Sequence, residues 1–160
     1  CDAEDFLTKP VEPAALVPRI QNLLAKEVAK KVRVLIVDDH AVVRDGIRAV
    51  LALQRDMQVV GEAADGKEAL QKTIELVPDV VLMDIVMPVM NGLDATKEIT
   101  KKCERTKVLV LTQYDDEENI RASREAGALG FVPKAAASSR LLSGIRAVAR
   151  GEDFIRSLLP

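Results

Sequence analysis

The chain has 160 residues and a formal net charge of −2. Its residues are 48% hydrophobic but only 2% aromatic, so we expect a buried core of aliphatic side chains. No basic segment indicates a nucleic-acid surface, and no apolar stretch reaches the roughly 18 residues of a membrane span, so we expect neither DNA binding nor membrane insertion by this chain. Cys1 and Cys103 are not spaced as a metal site, and two thiols are typical of a reducing compartment, which indicates a cytoplasmic protein.

The period of the apolar residues switches repeatedly from residue 32 onward. Continuous apolar runs predict strands buried on both faces, and apolar residues three or four apart predict helices. In chain order, the pattern predicts strand 32–37, helix 41–53, strand 57–63, helix 66–77, strand 79–84, helix 92–102, strand 107–112, helix 116–127, strand 129–132 and helix 138–151. Five strands alternating with five helices predict an α/β fold with a doubly wound, five-stranded parallel sheet.

Local signals predict the ends and the buried faces of several helices. Pro78 is expected to end the second helix and Gly127 the fourth. The last helix is expected to start from an N-cap at Ser138 or Ser139 and to stop at Gly151. The side chains expected to face the sheet from the first two helices are Val43, Ile47, Val50, Leu51, Ala69, Leu70, Ile74 and Val77.

Polar side chains follow four of the predicted strands. Asp38 and Asp39 follow the first strand, Asp84 and Thr112 end the third and fourth, and Lys134 follows the fifth. Each has an ordinary structural explanation as a helix cap, a strand former or a solvated lysine. The carboxyl ends of parallel strands meet at one edge of the sheet, however, and three acids gathered there would raise one another's pKa. A hard divalent cation such as Mg²⁺ would explain the cluster.

The same residue types suit phosphoryl chemistry. Beside a bound Mg²⁺, one carboxylate can attack a phosphoryl group and form an acyl phosphate. The metal and a lysine would neutralise charge on the group in transfer, and a nearby hydroxyl would bond to one of its oxygens.

Four segments closely resemble the receiver domain of two-component response regulators, which has a CheY-like (flavodoxin-like) fold. They are VLIVDDHAVVRDGIRAVL, VVLMDIVMPVMNGLDA, VLVLTQYDDEE and AGALGFVPKAA. The DDHAVVRDGIR and IRAVARGEDF stretches are most similar to the NarL/FixJ subgroup. The resemblance covers residues 32–155. It implies a switch phosphorylated by a sensor histidine kinase, with no enzyme activity beyond its own aspartyl phosphorylation and dephosphorylation, and with output through the surface around the fourth helix, fifth strand and fifth helix.

The resemblance implies a role for each residue of the cluster. Asp84 would be the phosphoacceptor, and Asp38 and Asp39 would hold Mg²⁺ together with Asp84 and the backbone carbonyl of Val86. Thr112 would be the switch hydroxyl.

Lys134 would contact the phosphoryl group, and Phe131 lies at the position of the switch aromatic. Pro88 and Gly92 would shape the loop after the acceptor, Gly92 by adopting an unusual backbone angle.

Three positions differ from the usual family pattern. Gln113 stands where a small residue is common, Pro133 precedes Lys134 where the family more often has proline after it, and Phe131 lacks the hydroxyl of the commoner tyrosine. We expect these differences to change the rate and lifetime of phosphorylation and to leave its chemistry unchanged. The single histidine, His40, is a candidate phosphodonor or base, but we favour a helix-start residue beside the acidic pocket.

The N-terminal segment 1–31 resembles the last strand and helix of another receiver domain. At a constant offset the segment matches the end of the chain, through the pairs Phe6 and Phe131, Lys9 and Lys134, Leu16 and Leu141, and Ile20 and Ile145. The alternative is a simple N-terminal helical extension. Because helix 13–31 has an apolar stripe, we expect it to dock on the intact domain, to pair in a homodimer or to fray.

Residues 156–160 fall where a linker to an output domain would begin. NarL/FixJ-type regulators usually carry a DNA-binding domain there, so we expect transcriptional output from a longer parent and no DNA binding by this chain. Two rival functions stay open. An Asp-nucleophile phosphohydrolase would place a second acid two residues after the nucleophile, where His40 or Val86 stands here. A phosphate-independent interaction module would usually lack one of the five site residues.

Overall fold

The structure is a computed structural model that describes residues 30–159. The predicted remnant of a second receiver domain falls almost entirely on residues 1–29, outside the described residues. The last two residues of predicted helix 13–31, Lys30 and Lys31, are not helical.

Five strands and five α-helices alternate along the described chain. The strands are β1 (Val32–Val37), β2 (Met57–Ala63), β3 (Val80–Met83), β4 (Lys107–Thr112) and β5 (Gly130–Pro133). The helices are α1 (Ala41–Ala52), α2 (Gly66–Leu76), α3 (Gly92–Lys102), α4 (Glu117–Glu125) and α5 (Ala137–Ala149), with 3-10 turns at Lys134–Ala136 and Arg156–Leu158. The predicted order of elements is therefore confirmed, with ends that differ by one or two residues.

All strand pairs in the sheet are parallel, in the order β2-β1-β3-β4-β5. The chain leaves β1 toward β2 on one side and returns to β3 on the other side of β1. A sheet with this order has a crevice between β1 and β3 at the carboxyl ends of the strands. The residues that follow these two strands are Asp38 and Asp84.

Helices cover both faces of the sheet, which confirms the doubly wound prediction. Alternate residues of the strands point to opposite faces. On one face the strands pack against α2, α3 and α4 through Ala69, Ala95, Ile99 and Ile120. On the other face they pack against α1 and α5 through Ile47, Leu51, Leu141, Ile145 and Val148. Phe131 is the largest fully buried side chain in an otherwise mainly aliphatic core.

Three of the predicted inward-facing residues are exposed instead. The exposed fractions are 43% for Val50, 54% for Ile74 and 50% for Val77. In α2 the buried stripe passes through Ala69 and Thr73, whose hydroxyl donates to the Ala69 carbonyl at 2.7 Å and so is satisfied inside the core. The apolar spacing predicted the helix correctly but misplaced part of its buried face.

The helix stops were predicted better than the last helix start. Gly127 and Gly151 adopt positive φ angles of 105° and 80° just past α4 and α5, as expected. The predicted N-cap of α5 at Ser138 or Ser139 is wrong. The 3-10 turn after Lys134 already winds the chain into the helix, and no side chain among the described residues caps it.

The segment after α5 returns along the free edge of β5. Phe154 donates its N–H to the Leu129 carbonyl at 2.8 Å, and Phe131 donates to the Phe154 carbonyl at 3.3 Å. Ile155 is 1% exposed. The segment thereby pairs with an edge that would otherwise expose unpaired backbone groups. Across residues 30–159, none of the helices has both the length and the apolar character needed to cross a membrane.

Candidate functional site

Two buried carboxylates stand side by side at the ends of β1 and β3. The backbone N–H of Asp38 donates to the Ala63 carbonyl, and that of Asp84 donates to the Val37 carbonyl, each at 3.1 Å. The sheet ladder thus continues one residue past each strand and fixes both residues. Their exposed fractions are 2% and 4%, so the sheet holds two acids in the crevice with little access to bulk water.

Lys134 joins these two carboxylates from the end of β5. Its Nζ lies 2.7 Å from Asp38 Oδ2 and 3.1 Å from Asp84 Oδ2. Because β4 lies between β5 and β3, the long lysine side chain spans the end of one strand to reach the crevice. The structure therefore brings together three predicted site residues from three different strand ends.

Asp38 and Lys134 each favour their charged form. Burial disfavours the Asp38 carboxylate, but hydrogen bonds from Lys134 and from His40 outweigh it and hold the pKa of Asp38 below its ordinary value. Burial likewise disfavours the Lys134 ammonium, but the hydrogen bond to Asp38 and the charge of Asp84 outweigh it and raise the pKa of Lys134. At neutral pH the crevice therefore holds the Lys134 ammonium against the Asp38 carboxylate.

Asp39 and His40 complete the cluster on its solvent side. Their side chains are 30% and 64% exposed. His40 Nδ1 lies 2.9 Å from Asp38 Oδ1 and 3.1 Å from Asp39 Oδ1. One ligand atom from each of Asp38, Asp39, His40 and Asp84 can be chosen so that all lie within 4.8 Å of one another. The sequence favours His40 as a helix-start residue. It is the N-cap residue of α1, and its ring also contacts the acids.

The donor set fits a hard divalent cation. Carboxylate oxygens are the ligands that Mg²⁺ prefers, and it requires only one or two of them beside water and phosphate oxygens. One ammonium among three carboxylates leaves the pocket with excess negative charge, which a cation would neutralise.

The loop after Asp84 is held against the site by backbone contacts. Gly92 donates its N–H to the Ile85 carbonyl at 2.7 Å, and Ile85 donates its N–H to Asp84 Oδ1 at 2.7 Å. A Cβ atom on Gly92 would lie 1.8 Å from the Asp84 carbonyl oxygen. The expectation of an unusual backbone angle at Gly92 is therefore wrong, because its φ is not positive and close approach is what requires glycine. The positive φ in this loop belongs to Val89, at 69°.

The remaining predicted residues surround the crevice. Thr112 is fully buried at the end of β4, two residues past Val110, which pairs with Met83 directly before Asp84. Its Oγ1 accepts the N–H of Tyr114 at 3.3 Å.

Phe131 is 0% exposed and lies inside the core, while Val86, whose carbonyl is the predicted metal ligand, is 52% exposed. Gln113 is exposed, and Pro133 extends β5 opposite Thr112. Pro88 is exposed in the loop after the acceptor.

Comparison with known proteins gives a consistent result. The sequence model described as "Response regulator receiver domain" matches residues 34–146. The transcriptional regulatory protein LiaR of Bacillus subtilis is 42% identical over 126 residues, which are 79% of this chain and 60% of LiaR. The oxygen regulatory protein NreC of Staphylococcus haemolyticus is 46% identical over 124 residues, which are 77% of this chain and 57% of NreC. The chain thus spans about 60% of the length of these curated relatives.

Solved structures agree with the sequence comparison. The receiver domain of the putative response regulator NarL from Mycobacterium tuberculosis has a TM-score of 0.74 and 32% identity, covering 77% of this chain and 99% of that one. A LuxR-family two-component response regulator from Aurantimonas has a TM-score of 0.75 and 33% identity, covering 78% and 89%. Family match, fold and relatives together show that the chain belongs to the receiver domains of two-component response regulators, of the NarL/FixJ type.

Proposed function

We propose that this receiver works as an aspartyl-phosphate switch in which Asp84 is the phosphoacceptor. The contact of Lys134 with both Asp38 and Asp84 is the observation that supports this most. A cation placed 3.1 Å from the acceptor oxygen is positioned to contact the phosphoryl group that bonds there. The other oxygen of Asp84 accepts the Ile85 N–H, which fixes the carboxylate plane.

Asp38, Asp39, Asp84 and the backbone carbonyl of Val86 would hold Mg²⁺. When bound, the ion would supply positive charge to the phosphoryl oxygens in transfer. The three carboxylates are the natural donors because they converge within 4.8 Å and their charge exceeds that of the single lysine. Val86 lies in the exposed loop that Gly92 holds against Asp84.

The phosphoryl donor would be a phosphohistidine of a sensor histidine kinase. One oxygen of Asp84 attacks the phosphorus, the bond from phosphorus to the donor nitrogen breaks, and the donor imidazole leaves with a proton from solvent. Lys134 keeps its proton throughout and acts through charge, in line with its raised pKa. Hydrolysis of the acyl phosphate later returns Asp84 and inorganic phosphate.

The signal would pass from the crevice to the surface of α4, β5 and α5. The buried hydroxyl of Thr112 would turn to a phosphoryl oxygen, and Phe131 of β5 would respond with its buried side chain. LiaR is named a transcriptional regulatory protein, and one structural neighbour, 25% identical, is titled a DNA-binding response regulator of the LuxR family. We therefore propose that the output of a longer parent protein is transcriptional and comes from a DNA-binding domain. Residues 156–160 would belong to the linker to that domain.

Phosphoryl uptake tests the proposal. Intact mass is measured after incubation of the full chain with acetyl phosphate and Mg²⁺. Wild type should gain one phosphoryl group, Asp84→Asn none, and Lys134→Gln much less in the same time. Equal uptake by wild type and Asp84→Asn would overturn the assignment of the acceptor. Continuous release of phosphate from a generic ester would support a phosphohydrolase instead.

A further inference from the structure

The ring of His40 faces two acids of the proposed metal site at once. Its Nδ1 lies 2.9 Å from Asp38 Oδ1 and 3.1 Å from Asp39 Oδ1. It is the only histidine in the sequence. The role that the family resemblance gives to Asp38 and Asp39 assigns nothing to this side chain.

The position of the ring follows from the turn between β1 and α1. The backbone N–H of His40 donates to Asp38 Oδ1 at 2.9 Å, and Arg44 donates to the Asp38 carbonyl at 2.6 Å, so the turn is fixed from both sides. Within the described part of the chain, His40 is the N-cap residue of α1 but makes no side-chain capping bond. Its imidazole therefore contacts the two acids and does not bond to the backbone at the start of α1.

The distances from His40 Nδ1 to the two carboxylate oxygens match the spacing of ligands on one ion. Two ligands at right angles, each about 2.1 Å from a metal, lie about 3.0 Å apart. The Nδ1 distances to Asp38 Oδ1 and Asp39 Oδ1 are 2.9 and 3.1 Å. A neutral imidazole has one hydrogen on Nδ1 at most and must share it between two acceptors, whereas an ion at the vertex would satisfy all three atoms.

We propose that His40 is a metal ligand that, together with Asp38, Asp39 and Asp84, makes the pocket selective for first-row transition ions such as Ni²⁺, Co²⁺ or Zn²⁺ over Mg²⁺. The inference rests on the metal site of the proposed function and adds a nitrogen donor to it. Imidazole suits these ions, whereas Mg²⁺ prefers oxygen and keeps its waters. With a transition ion bound, Nδ1 would coordinate and the ring hydrogen would reside on Nε2. With Mg²⁺ bound, the ring would stay off the ion.

The test compares two ions on matched variants of the full chain. Because thiols also bind soft metals, all variants carry Cys1→Ser and Cys103→Ser. Calorimetric titration gives the Kd for Mg²⁺ and for Ni²⁺ in this background and after adding His40→Ala or Asp39→Asn. We expect His40→Ala to weaken Ni²⁺ binding about tenfold or more and to leave Mg²⁺ binding unchanged or stronger. We expect Asp39→Asn to weaken the binding of both ions.

A spectroscopic signal identifies the ligand atom directly. With ¹⁵N-labelled histidine the chain gives the ring signals of one residue, so no assignment step is needed. Diamagnetic Zn²⁺ should shift the Nδ1 resonance strongly, and saturating Mg²⁺ should not.

Three results would overturn the inference. If His40→Ala changed the affinities for Ni²⁺ and Mg²⁺ by the same factor, or changed neither affinity, His40 would be only a hydrogen-bond partner of the acids. An Nδ1 resonance insensitive to bound Zn²⁺ would exclude the ring as a ligand. If no variant bound either ion, the metal site of the proposed function would fail together with this inference.

Discussion

Val89 offers a test of backbone strain beside the candidate site. It is a β-branched residue with φ at 69°, a region that L-residues other than glycine, asparagine and aspartate rarely adopt. Holding such a residue there costs about 1–2 kcal/mol. The side chain is 79% exposed, so its removal sacrifices little packing. Glycine at this position would add about 0.5–1 kcal/mol of unfolded-state entropy, so we expect Val89→Gly to raise the free energy of unfolding by about 0.5–1 kcal/mol.

Urea denaturation without metal measures the difference, with equal m-values as the condition for comparison. Val86→Gly is the matched control, because Val86 lies in the same loop, is 52% exposed and has no positive φ. It pays the same entropic cost without relief of strain and should lose about 1 kcal/mol. If both variants lost stability equally, residue 89 would not be strained and the reasoning would be refuted.

Three other changes probe close approach, edge packing and charge. Gly92→Ala places a methyl group 1.8 Å from the Asp84 carbonyl oxygen and should cost about 3 kcal/mol or more by urea unfolding. Gly46→Ala is the control, because its new Cβ would meet nothing within 4 Å outside the adjoining backbone of α1, and it should stabilise α1 slightly. Phe154→Ala removes the ring that packs against α5 over the β5 edge, and thermal unfolding should show a loss of about 2–3 kcal/mol. Burial disfavours the Glu62 carboxylate, but hydrogen bonds from two arginines outweigh it and lower its pKa. The folded-state pKa of Glu62 lies below the unfolded value near 4.3. The deficit of Glu62→Gln, at most about 1 kcal/mol at pH 7, should therefore begin to shrink as pH falls through about 4.3 and should disappear only below the folded-state pKa, and a deficit that did not shrink with falling pH would contradict the charge mechanism.

The strand pattern predicted most of the fold and which side chains meet at the candidate site. Apolar runs bounded each strand within one residue, and parallel topology brings the ends of β1, β3 and β5 to one edge. The structure therefore brings together Asp38, Asp84 and Lys134 as predicted, because their positions depend on strand order and not on details of the loops.

The wrong predictions concern features that depend on three-dimensional contacts. Ile74 and Val77 fit an apolar helical stripe, but the apolar pattern does not show that α2 buries the face that carries Ala69 and Thr73. The need for glycine at position 92 comes from a carbonyl eight residues earlier, which no local signal reveals. The contact of His40 with two acids depends on the turn after β1, and the only available signal was its position directly after an acid pair.

The location of the phosphoryl group tests the central claim most directly. The chain, phosphorylated with acetyl phosphate and Mg²⁺, is reduced with borohydride, which converts an aspartyl phosphate to homoserine, and is then digested for peptide mass spectrometry. Reduction at residue 84 alone is the predicted result, because Asp84 Oδ2 is the carboxylate oxygen beside Lys134 in the loop that Gly92 holds. Homoserine at residue 38 or 39, or no reduced residue in a chain shown to bind Mg²⁺, would contradict the account.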